Sequence, residues 1–509
     1  MRVRAFVFMA VFLLSVYALT FSSSYTSSNV GEGDKKITAL NVLFQFGYAG
    51  LDPIYQGTGG SGGYTWHEFG QNFFVLPFFI LLKPLQTTGY PFFFADALLT
   101  VLTAILLLKI LMAIGYSRAA ACLTSLVYGL GTFAWFYAAK GAFKQPAAAF
   151  LLLGEFYYML KYVLNKPRKK RYLFAAAVFL GFGIVTKTDL ALSVIPLAVL
   201  LWNGLGGKPE NRKALLKTAA AFFIILIPFA AFYMYYDYVR FGSVFKNGYY
   251  YSSDIRLKYL PMGVSGFLFS PGKSVFLYCP VLLITIFSLK DFLRKAPRFL
   301  YTAAGAAVLM YFIIYSAWID WHGDVCWGPR YLLLVMPFLI MPVASLFENW
   351  GALSRWTKAA ALAVLIVSVS VQVLPAVSNF YLGIEMKYGC GTLARDWAQV
   401  GPEGSVTNWK SFFRVRESAI FNQVGILYDT LNILLHKPNT LSVMLGLKSR
   451  WPSATFSCVF NNFDFYTPDL WWVQAGTLRA YFWAFMVLEL ALFSLYGLIR
   501  EIKRPQIQH

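Results

Sequence analysis

Charged side chains are scarce in this sequence, and their scarcity decides its class. They make up 13% of the 509 residues, about half of the roughly 25% usual in a soluble domain. Acidic residues are scarcer still, with 23 Asp and Glu against 44 Lys and Arg and a formal net charge of +21. So few charges cannot coat a water-facing surface of this length, whereas 58% hydrophobic and 18% aromatic residues suit a chain solvated by lipid. The positive excess does not point to nucleic acid, because the basic residues sit in short clusters between long apolar runs. That pattern is membrane topology, and it excludes a nucleic-acid partner.

Other absences narrow the reading. Cys122, Cys279, Cys326, Cys390 and Cys458 form no CxxC pair and no Cys/His ligand spacing, which excludes a zinc site. GxxxxGK[ST] is missing, so there is no P-loop. No internal repeat or inverted half is visible, which argues against a secondary transporter. Met1-Arg2-Val3-Arg4 and the apolar residues to Phe21 have the shape of a signal peptide. Ser22-Ser23-Ser24 after an aromatic lacks a small-residue cleavage pattern, so an uncleaved first span is expected. Whether Cys390 and Cys458 pair is open on spacing alone.

Apolar runs predict about twelve membrane spans, at 6–21, 92–114, 121–138, 146–164, 172–185, 190–205, 215–236, 275–289, 300–316, 332–347, 359–374 and 481–499, several of them short of the roughly 20 residues a bilayer demands. The run 72–82 is shorter, holds Pro77 and ends at Lys83-Pro84. It is expected to lie in the interface or re-enter. Charge parity supports that choice: with this run excluded and the N-terminus inside, the basic clusters at 166–171, 208–217, 290–298, Arg355/Lys358 and 500–504 all fall on the cytoplasmic side. The same parity puts 22–71, 240–273, 318–330 and 377–474 outside. The expected class is an all-α integral membrane protein with extracytoplasmic loops. It divides into a transmembrane module (1–376), a small C-terminal extracytoplasmic segment (377–474), and a last span with a cytoplasmic tail (475–509). The expected location is the plasma (inner) membrane, multi-pass.

Polar residues converging at a membrane face are where chemistry is expected, because lipid-embedded spans can do little but pack. The first loop carries Gly33-Asp34-Lys35-Lys36 and closes on Tyr64-Thr65-Trp66-His67-Glu68-Phe69-Gly70. Asp34 suits a general base for a sugar hydroxyl, or equally an N-cap followed by two lysines. Trp318-Ile319-Asp320-Trp321-His322-Gly323-Asp324-Val325-Cys326-Trp327-Gly328-Pro329-Arg330-Tyr331 is the densest polar and aromatic cluster. Aromatic faces pack on sugar rings and the Arg330 fork suits a phosphate. The bland alternative is an interface belt with a snorkelling arginine. Phe269-Ser270-Pro271-Gly272-Lys273-Ser274 offers backbone N–H groups and an ammonium at a helix start, suited to phosphate or to a plain turn. Lys187 and Asp189 lie between two short apolar runs, either as an ion pair or with Lys187 on a phosphate.

Taken in order, these loops resemble the GT-C superfamily of polytopic glycosyltransferases, particularly the bacterial dolichyl-phosphate-mannose-protein mannosyltransferase-like and lipid A aminoarabinose transferase-like members. The resemblance covers much of the chain up to about residue 374. It rests on Trp321-His322-Gly323 through Gly328-Pro329-Arg330-Tyr331, on Leu268-Phe269-Ser270-Pro271-Gly272-Lys273, and on Gly33-Asp34 followed by His67-Glu68-Phe69-Gly70 and Leu76-Pro77-Phe78. It implies a GT-C-like helical bundle that takes a monosaccharide from a polyprenyl-phosphate carrier and passes it to an extracytoplasmic acceptor, whether glycan, lipid or protein. It implies Asp34 as catalytic base. Arg330, Lys273 and Lys187 would hold the carrier phosphate, with His322, Asp320, Trp321, His67 and Glu68 around the substrate. A divalent cation is an option that a monophosphate donor does not generally need. Many relatives carry Ser-Glu-Pro where this chain has Lys144-Gln145-Pro146. A neutral Gln145 cannot accept a proton, which leaves Glu68, Asp320 or Asp324 for any second acidic role. The competing readings are a lipid-linked sugar flippase or transporter, and an oligosaccharide ligase or polymerase.

Overall fold

A computed structural model describes residues 3–22, 68–82, 90–141, 143–206, 212–246, 255–323, 326–380, 412–415, 418–436 and 469–503. Asp34, His67, Asp324, Cys390 and Cys458 lie outside the described residues. Among those described, regular structure is helical, apart from one isolated bridge between Ile255 and Trp318. In order the helices are α1 (Val3–Leu19), α2 (Gly70–Leu81), α3 (Tyr90–Ala113), α4 (Arg118–Gly131), α5 (Ala134–Ala139), α6 (Gln145–Leu164) and α7 (Lys170–Thr186). A 3-10 turn (Thr188–Ser193) leads into α8 (Val194–Gly204), then come α9 (Arg212–Phe241), α10 (Leu260–Phe269), α11 (Val275–Tyr278), α12 (Leu282–Lys295) and α13 (Arg298–Ser316). A second 3-10 turn (Arg330–Val335) precedes α14 (Met336–Ile340) and α15 (Val343–Glu348). The last are α16 (Arg355–Val377), α17 (Ala419–His436), α18 (Trp471–Ala475) and α19 (Leu478–Lys503).

Among the described residues seven segments are long and apolar enough to cross a membrane: α3, α6, α9, α13, Arg330–Glu348, α16 and α19. Shorter apolar stretches, including α1 and Thr188–Gly204, fill out the bundle. The expected runs largely become helices because nothing polar interrupts them, and local chemistry sets their ends. Ser117 and Ser354 cap α4 and α16 by accepting from Ala120 N and Thr357 N. Gly115, at φ 91°, closes α3 in the left-handed region that a side chain resists. The apolar windows of α3 and α6 are 72% buried against 17% for α9. The first two therefore form the centre of the bundle, and α9 turns Phe223, Ile224 and Ile227 outward.

Several expected spans are broken, and two of the breaks have their physical reason in α16. The run 121–138 divides into α4 and α5, and the run 275–289 into α11 and α12. Backbone groups freed inside a bilayer must find partners, and α16 supplies them. Ser368 Oγ donates to Gly131 O (2.9 Å) and accepts from Val281 N (3.0 Å), and Gln372 Nε2 donates to Tyr278 O (2.6 Å).

The run 72–82 is a helix packed on α3, α7 and α9. Gln71 of α2 donates to Asp96 of α3 (3.2 Å) and Phe78 stacks on Phe94 (6.2 Å). On its other side Phe69 meets Tyr236 and Phe73 meets Phe232 of α9 (5.7 and 5.8 Å), and Phe73 meets Phe182 of α7 (5.9 Å).

Contacts between helix ends define two faces. On one, Ser117 N donates to Glu348 Oε2 (2.9 Å), Lys295 pairs with Glu348 (2.6 Å) and Arg118 reaches Glu501 O (3.3 Å). The start of α7, the end of α8 beside Val163, and the start of α16 lie on this face too. It thus gathers the basic clusters. The opposite face holds the end of α1, the starts of α3, α6 and α19, and the ends of α5, α7, α9, α13 and α16.

Candidate functional site

On that second face α7 ends at Lys187, whose backbone is extended at φ −155°. The turn swings its ammonium inward under the end of α13. Lys187 donates to Tyr315 OH (2.7 Å) and pairs with Asp189, and Tyr315 OH donates to the same Asp189 oxygen (2.5 Å). Burial pushes the Lys187 pKa down from its ordinary value, a shift that the Asp189 charge partly offsets. The ammonium lies over the Tyr315 ring (4.8 Å) and the Tyr331 ring (5.8 Å).

Tyr331 joins this lysine to Arg330. The half-buried guanidinium lies 5.0 Å from the Tyr331 ring centre and 5.2 Å from that of Phe143, and donates to Tyr331 OH (3.1 Å). Stacking on two aromatic planes holds an arginine fork in one orientation at low entropic cost. Gly323, at φ 65°, approaches the Arg330 side chain so closely that a Cβ there would sit 2.9 Å from it.

Glu68 and Lys144 adjoin the same spot. Lys144 precedes α6 and pairs with Glu68 Oε2 (2.6 Å), both side chains being buried. Glu68 Oε1 accepts from Thr188 N (3.4 Å) and Oγ1 (3.2 Å), and Thr188 Oγ1 shares a hydrogen bond with Tyr233 OH (2.8 Å). A step further, Asp237 pairs with a buried Arg240 that lies 3.9 Å from the Tyr236 ring centre. The structure therefore brings together Lys187, Arg330 and Glu68 with Lys144 and Asp189.

Lys273, Trp321 and His322 form the adjoining wall and serve packing. The turn Ser270-Pro271-Gly272-Lys273 is fixed by Gly272 N and Ser270 Oγ, which both donate to Phe412 O (2.9 and 2.7 Å). The buried Lys273 ammonium is directed into the tryptophan loop, donating to Cys326 O (3.0 Å) and Gly328 O (3.3 Å). It braces the chain from which Arg330 projects. Trp321 is fully buried on Phe267 (5.6 Å, edge to face), so close to α10 that a Cβ at Gly266 would lie 2.1 Å from its ring. His322 stacks on Phe412 (4.9 Å). The half-buried Asp320 accepts from Gly323 N through its carbonyl (2.9 Å).

Sequence reasoning missed two groups. Asp469 accepts from Ser22 Oγ (2.7 and 2.8 Å) and pairs with Lys140 (3.1 Å), clasping the ends of α1 and α5 just before α18. Burial lowers the Lys140 pKa, and Asp469 opposes that shift. The other group is Tyr315 and Phe143, for which an aromatic-rich sequence gives no signal. Among the described residues no group of three His, Cys, Asp or Glu side chains could hold a metal ion.

No family model and no curated protein matches the chain. Among solved structures it is similar to ArnT from Cupriavidus metallidurans bound to undecaprenyl phosphate, at 16% identity and a TM-score of 0.49, over 84% of this chain and 78% of that one. It is similar to the apo state of the same protein at 14% identity and 0.47, over 96% and 76%. The archaeal oligosaccharyltransferase AglB from Archaeoglobus fulgidus, in complex with an inhibitory peptide and a dolichol-phosphate, matches at 14% and 0.48, over 82% and 63%. At these identities and scores the likeness assigns neither an activity nor the role of any residue.

Proposed function

We propose that this protein is a membrane glycosyltransferase that moves a monosaccharide from a polyprenyl-phosphate carrier to an acceptor on the extracytoplasmic side. The observation that carries this reading is the convergence of Arg330 and Lys187 at the Tyr331 ring, beside the Glu68–Lys144 pair, at the end of an apolar bundle. Two cations at the membrane boundary suit a phosphate whose tail stays in lipid, and the surrounding rings suit a sugar. The opposite face carries the basic clusters, which supports a cytoplasmic orientation for that end and an extracytoplasmic one for the site.

The reaction is a single displacement at the anomeric carbon. The acceptor oxygen bonds to that carbon as the bond to the phosphate oxygen breaks. The acceptor proton passes to a carboxylate, and polyprenyl phosphate leaves with its charge offset by Arg330 and Lys187. Asp34 is the proposed base and Glu68 orients Lys144. Lys273 positions Arg330 through the loop backbone.

The test uses purified protein in liposomes with a panel of synthetic polyprenyl-phosphate monosaccharides. Asp34→Asn is expected to abolish transfer without lowering membrane expression, and retained activity would remove Asp34 from the mechanism. Sugar that changes leaflet without changing its carrier would instead identify a flippase. Transfer confined to preassembled glycans would identify a ligase or polymerase.

A further inference from the structure

Helix α17 has its polarity inverted. Around its axis Phe421, Val424, Tyr428 and Leu431 fall on one side and are 59%, 51%, 55% and 47% exposed. Gln423, Asp429 and Thr430 fall on the other side, around the fully buried Ile426, and are 1%, 7% and 2% exposed. A helix on a water-facing appendage would show the reverse arrangement, since an exposed apolar stripe over a buried polar face has no driving force in water.

Its attachment fixes its depth. Gln423 accepts from Ser378 Oγ (2.5 Å) and donates to Phe380 O (3.3 Å), which seats α17 on the end of the apolar helix α16. Asp469 N donates to Val377 O at the same level (3.0 Å). From there the chain leads through α18 into the start of α19, where Tyr481, Phe482 and Trp483 are exposed. Exposed aromatics at the first turns of an apolar span mark the headgroup level. Outward apolar residues of α16, among them Ile366 and Val367, mark the middle of that helix as lipid-facing.

From this placement we infer that α17 lies in the outer interface of the bilayer with Phe421, Val424, Tyr428 and Leu431 immersed in lipid. Its occupant is the lipid surface itself. Residues 419–436 contain no lysine or arginine, so immersion depends on apolar area and is indifferent to headgroup charge. The N-terminal end of the helix is tied to the candidate site, because Ser418 Oγ donates to Pro271 O (2.8 Å) in the turn that carries Lys273. A lipid-borne element thus abuts the turn whose Lys273 reaches into the loop that presents Arg330. The inference does not depend on the glycosyltransferase reading.

The test is site-directed spin labelling of the full chain in liposomes, with Phe421→Cys, Val424→Cys, Tyr428→Cys and Leu431→Cys made one at a time. The unsubstituted protein, labelled in parallel, gives the background from native cysteines. Collision with oxygen against a water-soluble nickel chelate is expected to place all four labels about 5–10 Å into the headgroup/acyl boundary, equally in zwitterionic and anionic vesicles. Val424→Lys in the Tyr428→Cys background is expected to move that label toward water. Labels open to nickel at all four positions would overturn the inference. Labels shielded from both reagents would overturn it too, in favour of a second copy or another protein on this face.

Discussion

The two ends of the bundle handle charge in opposite ways. At the end with the basic clusters, Arg294 and Asp291 pair while 68% and 51% exposed, and Lys295 and Glu348 while 35% and 24% exposed. At the other end, Lys144 and Glu68 pair at 6% and 5%, and Lys140 and Asp469 at 2% and 3%. Exposed pairs contribute roughly 0–1 kcal/mol each and leave the fold indifferent to their details. Buried pairs lose hydration that their mutual attraction seldom fully returns. A chain with so few acidic residues nonetheless places several of them in this second environment. The first end records orientation in the membrane, and the second concentrates field where a charged headgroup would enter.

Breaking the contrast is most damaging where a buried partner is removed. Glu68→Gln leaves the Lys144 ammonium without its carboxylate, and a loss of about 3–5 kcal/mol is expected; Glu348→Gln at the exposed end should cost under about 1 kcal/mol. Thermal unfolding of the two variants in detergent checks the difference, and equal losses would erase the distinction between the ends. Arg330→Ala should lower kcat/KM for the carrier-linked sugar by about 10²–10³-fold. Arg330→Lys should recover only part, since an ammonium cannot reproduce the stacked fork.

Two smaller effects sharpen the account. Gly266→Ala forces a methyl into the Trp321 ring, and overpacking of that kind costs about 1–3 kcal/mol, read as a lower midpoint of unfolding. Lys187 is a base whose pKa burial lowers from 10.5. Its charge is therefore present at low pH and is lost as pH rises through a value below that of a free lysine. Activity should fall on that alkaline limb, and Lys187→Arg, which stays protonated, should move the limb to higher pH. An unmoved limb would exclude Lys187 from holding the phosphate.

Much of the fold was legible because lipid-solvated helices read as uninterrupted apolar runs, and the charge clusters between them gave the two faces. The breaks at Gly131 and Cys279 were not legible. They are stabilised by Ser368 and Gln372, and no local pattern links side chains so distant in the chain. At the site, the polar loops showed where chemistry would gather, and Arg330, Lys187 and Glu68 do converge. The Lys273 turn was ambiguous, since a glycine turn followed by lysine suits a phosphate as well as it suits the carbonyls of Cys326 and Gly328 that Lys273 meets. Phe143, which supports Arg330 beside Tyr331, carried no signal, because one ring is like another in a sequence with 48 phenylalanines and 32 tyrosines.

The most direct test follows the carrier. Liposome-embedded wild-type protein and Arg330→Ala are each given a polyprenyl-phosphate monosaccharide with an acceptor mixture, and free polyprenyl phosphate is measured over time. The account predicts that the wild type releases the carrier and that the variant releases little. Equal release by both proteins would contradict it.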